Sequence, residues 1–403
     1  MRVLLSTIGS RGDVQPLVAL AFALREYGHE ARLCVPPDFR EWIEGLGFPV
    51  TPIGPEVRTF SMPRPASGTA APPMTAEQAR QLVEASVATQ FETVAAAAKG
   101  CERLVAATAL QIAARSVAEQ RGIPYTFAAY CPIVYPSSLH APPPLPRLPG
   151  QPVDATPPDN ATLWARDTQR FNDLFGPALN AHRAAIGLAP VDDVRSHVFG
   201  DRPWLAADPG LAPWPDPADG SVLQTGAWLV RDERPLAADV EAFLDAGEPP
   251  IYFGFGSSRV APDLGAVLLQ AARTLGRRAI VSRGWADLAS DDASDCLAID
   301  EVNQQRLFAR VAAVVHHGGA GTTTIAALAG APQVVVPQMY DQHYFARRVQ
   351  DLGVGVAHAP GAPTAASLVA ALGPAIAPDV AARAKALGPR VRRDGARLAA
   401  ERC

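Results

Sequence analysis

His316-His317-Gly318-Gly319-Ala320-Gly321-Thr322-Thr323-Thr324 follows the apolar run Val311–Val315 and leads into the alanine-rich segment Ile325–Gly330. A buried-type strand here breaks into glycines that let the backbone approach a ligand, and a helix begins with hydroxyl residues suited to capping it. The first turn of such a helix offers unpaired N–H groups and the positive end of its dipole, so a phosphate is held there, with His316 or His317 as an added donor. Glycines between a strand and a helix also serve purely architectural ends in α/β proteins. The neighbouring sequence favours a ligand. A second apolar strand, Pro332–Pro337, runs into the polar cluster Gln338-Met339-Tyr340-Asp341-Gln342, where a parallel strand ends.

Outward from this stretch the chain repeats one design. Arg2–Ser10 is a short strand entering a glycine-serine turn, and Ile251–Ser258 repeats that pattern near the middle. Val14 to Tyr27 reads as a helix stopped by Gly28, Ala31–Val35 as the next strand, and Glu102–Ala107, Gln111–Gln120 and Tyr125–Tyr130 as a further strand, helix and strand. In the second half Arg277–Ser282, Cys296–Ile299, Val311–Val315 and Gln333–Val336 read as strands. The expected class is therefore α/β, with two Rossmann-like, doubly wound parallel-sheet domains facing across a cleft. A chain of 403 residues suits two domains. The proline-rich passage 208–250 reads as the linker between 1–207 and 251–377. Two more proline-rich stretches, Pro52–Pro73 and Pro132–Pro158, read as exposed loops or as a rim around a second substrate.

The bulk composition narrows the function. A hydrophobic fraction of 48% fits a globular enzyme, and a formal charge of -4 gives no reason to expect nucleic acid. The apolar strand after Arg2 is too short for a secretory core or a membrane span, so a cytoplasmic protein is expected, a monomer or weak dimer. Five scattered cysteines without Cys-X-X-Cys spacing argue against a disulfide framework and a zinc knuckle.

The run from His316 to Gln342 resembles the donor-nucleotide signature of family 1 GT-B glycosyltransferases, with its His, glycine turn, Gly330-Ala331-Pro332 strand entry and terminal Asp-Gln. The whole chain is similar to the bacterial members that decorate glycopeptide antibiotics of the vancomycin type. The likeness includes Ser10–Asp13, Leu205–Pro209, Gln224–Trp228, Gly254–Ser258 and Ser282–Trp285. The resemblance implies a GT-B fold, the domain roles acceptor-binding for 1–207 and nucleotide-sugar-binding for 251–377, and a segment 378–403 that packs back on the N-terminal domain. It also implies an inverting transfer of a hexosyl or deoxysugar unit from a dTDP- or UDP-sugar to a hydroxyl of an aglycone such as a glycopeptide or polyketide antibiotic.

Transfer to a hydroxyl needs a base and a site that stabilises the departing nucleotide diphosphate. Asp13, at the carboxyl end of the first strand, is the expected base; the same position also suits a helix cap. By the family signature His316 donates to the leaving group, while His317 is the structural histidine. The glycine loop Gly318, Gly319, Ala320, Gly321 and Thr322 adds backbone donors, and Ser10, Ser257 and Ser258 add hydroxyls and amides from both sides of the cleft. Asp341 and Gln342 are expected to bind sugar hydroxyls. Arg283, Trp285 and the loop Glu301–Gln305, which carries Val302, are expected at the nucleotide base; Trp285 could also serve a core, but its place after Arg283-Gly284 just beyond a strand favours binding. No two aspartates stand at Asp-X-Asp spacing, so neither a metal nor a resident cofactor is expected. The competing readings are an epimerase of the same fold acting on UDP-N-acetylglucosamine and a non-catalytic helper of a partner glycosyltransferase. A dehydrogenase is disfavoured because Gly9–Gly12 does not form Gly-X-Gly-X-X-Gly.

Overall fold

The computed structural model describes residues 1–58, 75–108, 110–143, 158–216, 220–258, 260–285, 287–288, 291 and 293–403. Most of the two proline-rich stretches of the first half therefore lies outside the described residues.

Seven parallel strands form the first sheet: β1 Arg2–Thr7, β2 Glu30–Val35, β3 Val50–Pro52, β4 Arg103–Ala107, β5 Tyr125–Ala129, β6 Trp204–Leu205 and β7 Leu223–Gln224, in the order β3-β2-β1-β4-β5-β6-β7. Six more form the second: β8 Ile251–Gly254, β9 Ala279–Ser282, β10 Cys296–Ile299, β11 Ala313–His316, β12 Gln333–Val335 and β13 Gly355–Ala357, in the order β10-β9-β8-β11-β12-β13. Strand-helix-strand connections place helices on both faces, so the strands are apolar on both sides. In β1, Val3 and Leu5 enter the core under helix Arg11–Glu26, whereas Leu4 enters the core under helices Ala76–Ala97 and Ala114–Arg121. In β8, Ile251 and Phe253 share a core with helix Leu264–Thr274, and Tyr252 faces the opposite one with Phe308 and Ile325. Each such side chain contributes about 1.5–3 kcal/mol by leaving water.

Each sheet reverses its winding once, between β1 and β4 in the first and between β8 and β11 in the second. Loops that leave the strand ends at these reversals border an open crevice, the usual ligand position in such sheets. Asp13 lies beyond one reversal and the glycine turn beyond the other.

Two long helices, Ala76–Ala97 and Asn160–Ala185, were not expected from the sequence. The passage 208–250 is more than a linker: it supplies β7 to the first sheet and the helix Ala238–Asp245. The chain also crosses back. Ala396, Ala399 and Ala400 of helix Gly395–Ala400 join the core beneath helix Arg11–Glu26, and Tyr27 Oη donates to Glu401 at 2.5 Å. At this crossing a Cβ on Gly395 would lie 2.4 Å from Ala227 O, and Gly226, at φ +96°, faces Gly395 Cα. Only glycine fits both positions. Among the described residues no single helix is long and apolar enough to cross a membrane.

Candidate active site

On the N-terminal side, Ser10 caps helix Arg11–Glu26 and Asp13 is its third residue. The carboxylate folds back so that Oδ2 accepts from Ser10 N at 2.7 Å and from Ser10 Oγ at 3.2 Å. A Cβ at Gly9, whose φ is +153°, would lie 2.3 Å from that oxygen, so glycine is required there. Tyr130 Oη donates to Asp13 O at 2.9 Å and fixes the turn from β5. Asp13 is thus a capping residue, as one of the two readings of the sequence had it. Burial pushes its carboxyl up from 3.8 to about 6, against the hydrogen bonds from Ser10.

On the C-terminal side the two histidines are placed differently from the expectation, His316 being enclosed and fully bonded and His317 only partly enclosed. His316 is the last residue of β11 in the middle of a sheet covered on both faces, and it is fully buried. Its Nδ1 accepts from Gly318 N at 3.1 Å, so its Nε2 carries the proton and bonds Gln333 Oε1 at 2.9 Å. Both nitrogens are committed to the protein, and burial holds the ring neutral with its pKa down at about 3. His316 therefore shapes the glycine turn and cannot be the side-chain donor to a leaving group. His317 is only half-buried. Its Nδ1 has no partner, and its ring lies between the turns of Gly256 and Gly319, at the β8/β11 reversal.

Gly318 has φ +92°, and a Cβ there would stand 2.6 Å from Val335 Cγ1. Gly319 is the N-cap of helix Ala320–Ala329 and makes no side-chain cap. The expected hydroxyl caps are absent because Thr323 Oγ1 and Thr324 Oγ1 bond backwards, to Gly319 O at 2.8 Å and Ala320 O at 2.7 Å. The first intrahelical bond runs from Thr323 N to Gly319 O. The amides of Ala320, Gly321 and Thr322 precede it and point out of the helix end.

Asp341 and Gln342 open helix Gln342–Asp351. Gln342 Oε1 accepts from Gln338 N at 2.8 Å and Met339 N at 3.2 Å, which holds the loop while leaving its amide nitrogen unused by these bonds. Burial, and then the charge of Asp13, push the Asp341 carboxyl up to about 7. Asp13, on the other half, is thus close enough for its charge to be felt at Asp341.

A cavity of about 570 Å³ continues the cleft beside β8. Of the expected donor residues, Ser257, Trp285 and Val302 line it, with Gln304 and Gln305 on the same side and Arg11, Phe22 and Trp42 opposite. Trp285 is neither free nor simple core: its ring stacks on Phe39 at 6.0 Å and 22°, bridging the halves. Arg11 also bridges them, pairing with Glu301 at 2.8 Å over the Trp42 ring. Ser258 and Arg283 do not line this cavity; Arg283 is exposed and pairs with Asp300 at 3.5 Å. Sequence reading missed Gln333 and Trp42. Gln333, a lone polar residue in an apolar strand, was the visible signal that a buried partner existed. Among the described residues no group of three or more His, Cys, Asp or Glu side chains is placed to hold a metal ion.

Two doubly wound parallel sheets whose winding reversals face one another define the GT-B architecture. Residues 3–135 match the glycosyltransferase family 28 N-terminal domain, and residues 292–396 match the C-terminal domain of erythromycin biosynthesis protein CIII-like enzymes. The chain is 50% identical over 403 residues to the vancomycin aglycone glucosyltransferase of Amycolatopsis orientalis, covering 99% of this chain and 96% of that protein. It is 44% identical to the dTDP-epi-vancosaminyltransferase of the same organism, covering 95% and 92%. Among solved structures, the kitacinnamycin glycosyltransferase superposes with a TM-score of 0.71 at 19% identity, over 99% of this chain and 97% of that one. Glycosyltransferase VinC, solved in complex with dTDP, gives 0.66 at 21%, over the full length of both chains. The chain belongs to the family 1 GT-B glycosyltransferases of the glycopeptide-antibiotic group. It is a sugar transferase; the epimerase and helper readings are not favoured.

Proposed function

We propose that this enzyme transfers a sugar from a dTDP- or UDP-sugar to a hydroxyl of a glycopeptide-type aglycone, with inversion and without a metal ion. The observation that carries the mechanism is the joining of the two winding reversals by the Arg11–Glu301 pair at 2.8 Å, with Asp13 in the turn beyond one reversal and the glycine turn beyond the other. The acceptor oxygen attacks the anomeric carbon as its proton passes to Asp13, and the bond from that carbon to the diphosphate oxygen breaks. Charge appearing on the diphosphate is met by the amides of Ala320, Gly321 and Thr322 and by His317, in the role first expected of His316. Asp341 and the Gln342 amide bind sugar hydroxyls, and the cavity beside Trp285 and Val302 takes the nucleoside. Direct displacement gives a β-linkage from an α-D donor.

The names of two relatives, a glucosyltransferase acting on the vancomycin aglycone and a dTDP-sugar-named transferase, support both halves of this reading. So do the exposed apolar side chains at the strand ends. Leu110 follows β4, and Met339 and Tyr340 follow β12, each at least 47% exposed. Large apolar groups left in water in this way suit a bulky aromatic acceptor. The test is incubation with UDP-glucose and a panel of dTDP-sugars, each with the vancomycin aglycone, read by mass and by the anomeric coupling of the product. An α-linked product or an absolute need for a divalent ion would refute the mechanism.

A further inference from the structure

Helix Gln342–Asp351 presents Asp341 and Gln342 to the cleft, yet much of its anchoring lies in the other half of the molecule. Phe345, Ala346 and Val349 are buried in one cluster with Cys131, Ile133 and Leu211 of the first half. Arg348, on the same helix, donates from Nε to Leu211 O at 2.9 Å and from Nη2 to Gly210 O at 3.5 Å. The loop it grips is itself rigidly held. Asp208, 1% exposed, accepts the amides of Gly210 and Leu211 on Oδ1 at 2.9 and 3.0 Å, and on Oδ2 that of Arg392 at 2.8 Å. One buried carboxylate therefore joins the exit of the first sheet to the returning C-terminal segment, and that loop turns its carbonyls to Arg348. A guanidinium is suited to this because its planar fork addresses two acceptors at once, whereas an ammonium is a point charge.

We propose that Arg348 is a positioning residue for sugar transfer: by pinning the helix to the 208–211 loop it sets the height of Asp341 and Gln342 relative to Asp13. It touches neither substrate nor reacting atoms. The inference rests on the reading of Asp341 and Gln342 as sugar ligands. A helix rises about 1.5 Å per residue, and a misplacement of about 1 Å costs on the order of 10²-fold in rate, so a small slip of this helix is enough. The nucleoside cavity is lined by no residue of this helix, which separates the effect of Arg348 from binding of the nucleoside.

The experiment compares R348A, R348K, D341A and R348A/D341A in transfer to the vancomycin aglycone from UDP-glucose or the dTDP-sugar that the panel selects. UDP or dTDP affinity is measured by calorimetry alongside. R348A is expected to lose about 10- to 100-fold in kcat with nucleotide affinity within about twofold, as orientation effects of this size predict. R348K recovers part of the loss by reaching one carbonyl, and R348A/D341A loses less than the product of the two single losses, the remainder coming from Gln342. Wild-type kcat in R348A beside a slow D341A overturns the proposal alone. So does a loss that multiplies fully with that of D341A, or one matched by an equal loss of nucleotide affinity. Wild-type turnover in D341A overturns the sugar-ligand reading and this proposal with it. If R348A does not fold, R348Q, which keeps most of the aliphatic stem, carries the same comparisons.

Discussion

Replacing Asp13 by Asn is expected to make the protein slower and more stable together. The carboxyl pKa rises from 3.8 in the unfolded chain to about 6 in the fold. The folded state thus binds the proton more tightly, and the stability this carries at low pH is lost as pH rises through about 6. The difference is about two pK units, or about 3 kcal/mol at 1.36 kcal/mol per unit, fully expressed at pH 8 and about half expressed at pH 5. Solvent at the half-buried carboxylate makes this an upper bound. Asn carries no charge, and its Oδ1 can accept from Ser10 N and Ser10 Oγ as Asp13 Oδ2 does, so the cap survives. Removing the negative charge also relieves Asp341, which adds stability in the same direction. Chemical denaturation of both proteins at pH 5 and pH 8 reads the gain, and transfer assays read a loss on the order of 10²–10⁴ for a missing base. An Asn variant no more stable than wild type at pH 8, or one with wild-type turnover, refutes the assignment of a desolvated base.

Wild-type kcat/KM should fall as pH drops below about 6, because protonated Asp13 cannot accept the acceptor proton; a profile flat from pH 5 to 8 contradicts this. His317→Ala should weaken UDP or dTDP binding in calorimetry with little change in thermal stability, whereas His316→Ala should lower stability by about 1–3 kcal/mol because Gly318 N and Gln333 lose a buried partner. Gly318→Ala should destabilise by at least about 1 kcal/mol, since its Cβ would meet Val335 at 2.6 Å and the backbone is left-handed there. Transfer should persist in excess EDTA, and a strict Mg²⁺ or Mn²⁺ requirement would contradict the neutral-donor mechanism.

The sheets were legible because strands buried on both faces read as continuous apolar runs, and Cys296–Ile299 was located to the residue. That same property hid the histidines. In β11 every residue is buried, so alternation gave no indication of which of His316 and His317 faced the cleft. Their roles depend on Gln333, a partner from the adjacent strand that no local pattern links to them. Helix Asn160–Ala185 was obscured by Gly176 and Pro177 within it, both breakers in isolation, which tertiary packing overrides. β7 went unseen because its two residues lie in a proline-rich passage and are fixed by pairing with β6. Asp13 could be placed at a strand end from its turn, but how near the charge of Asp13 comes to Asp341 depends on how the two halves are held together.

The glycine contact between Gly226 and Gly395 bears on how such enzymes can be recombined. Helix Gly395–Ala400 ends the chain of the donor half but completes the core of the acceptor half. A hybrid joined once near residue 250 would import a foreign terminal helix onto helix Arg11–Glu26, together with a foreign residue opposite Gly226. The exchangeable cassette is therefore internal, about 251 to 391, and needs two junctions. Parents that conserve glycine at both crossing positions are the ones whose halves can be traded.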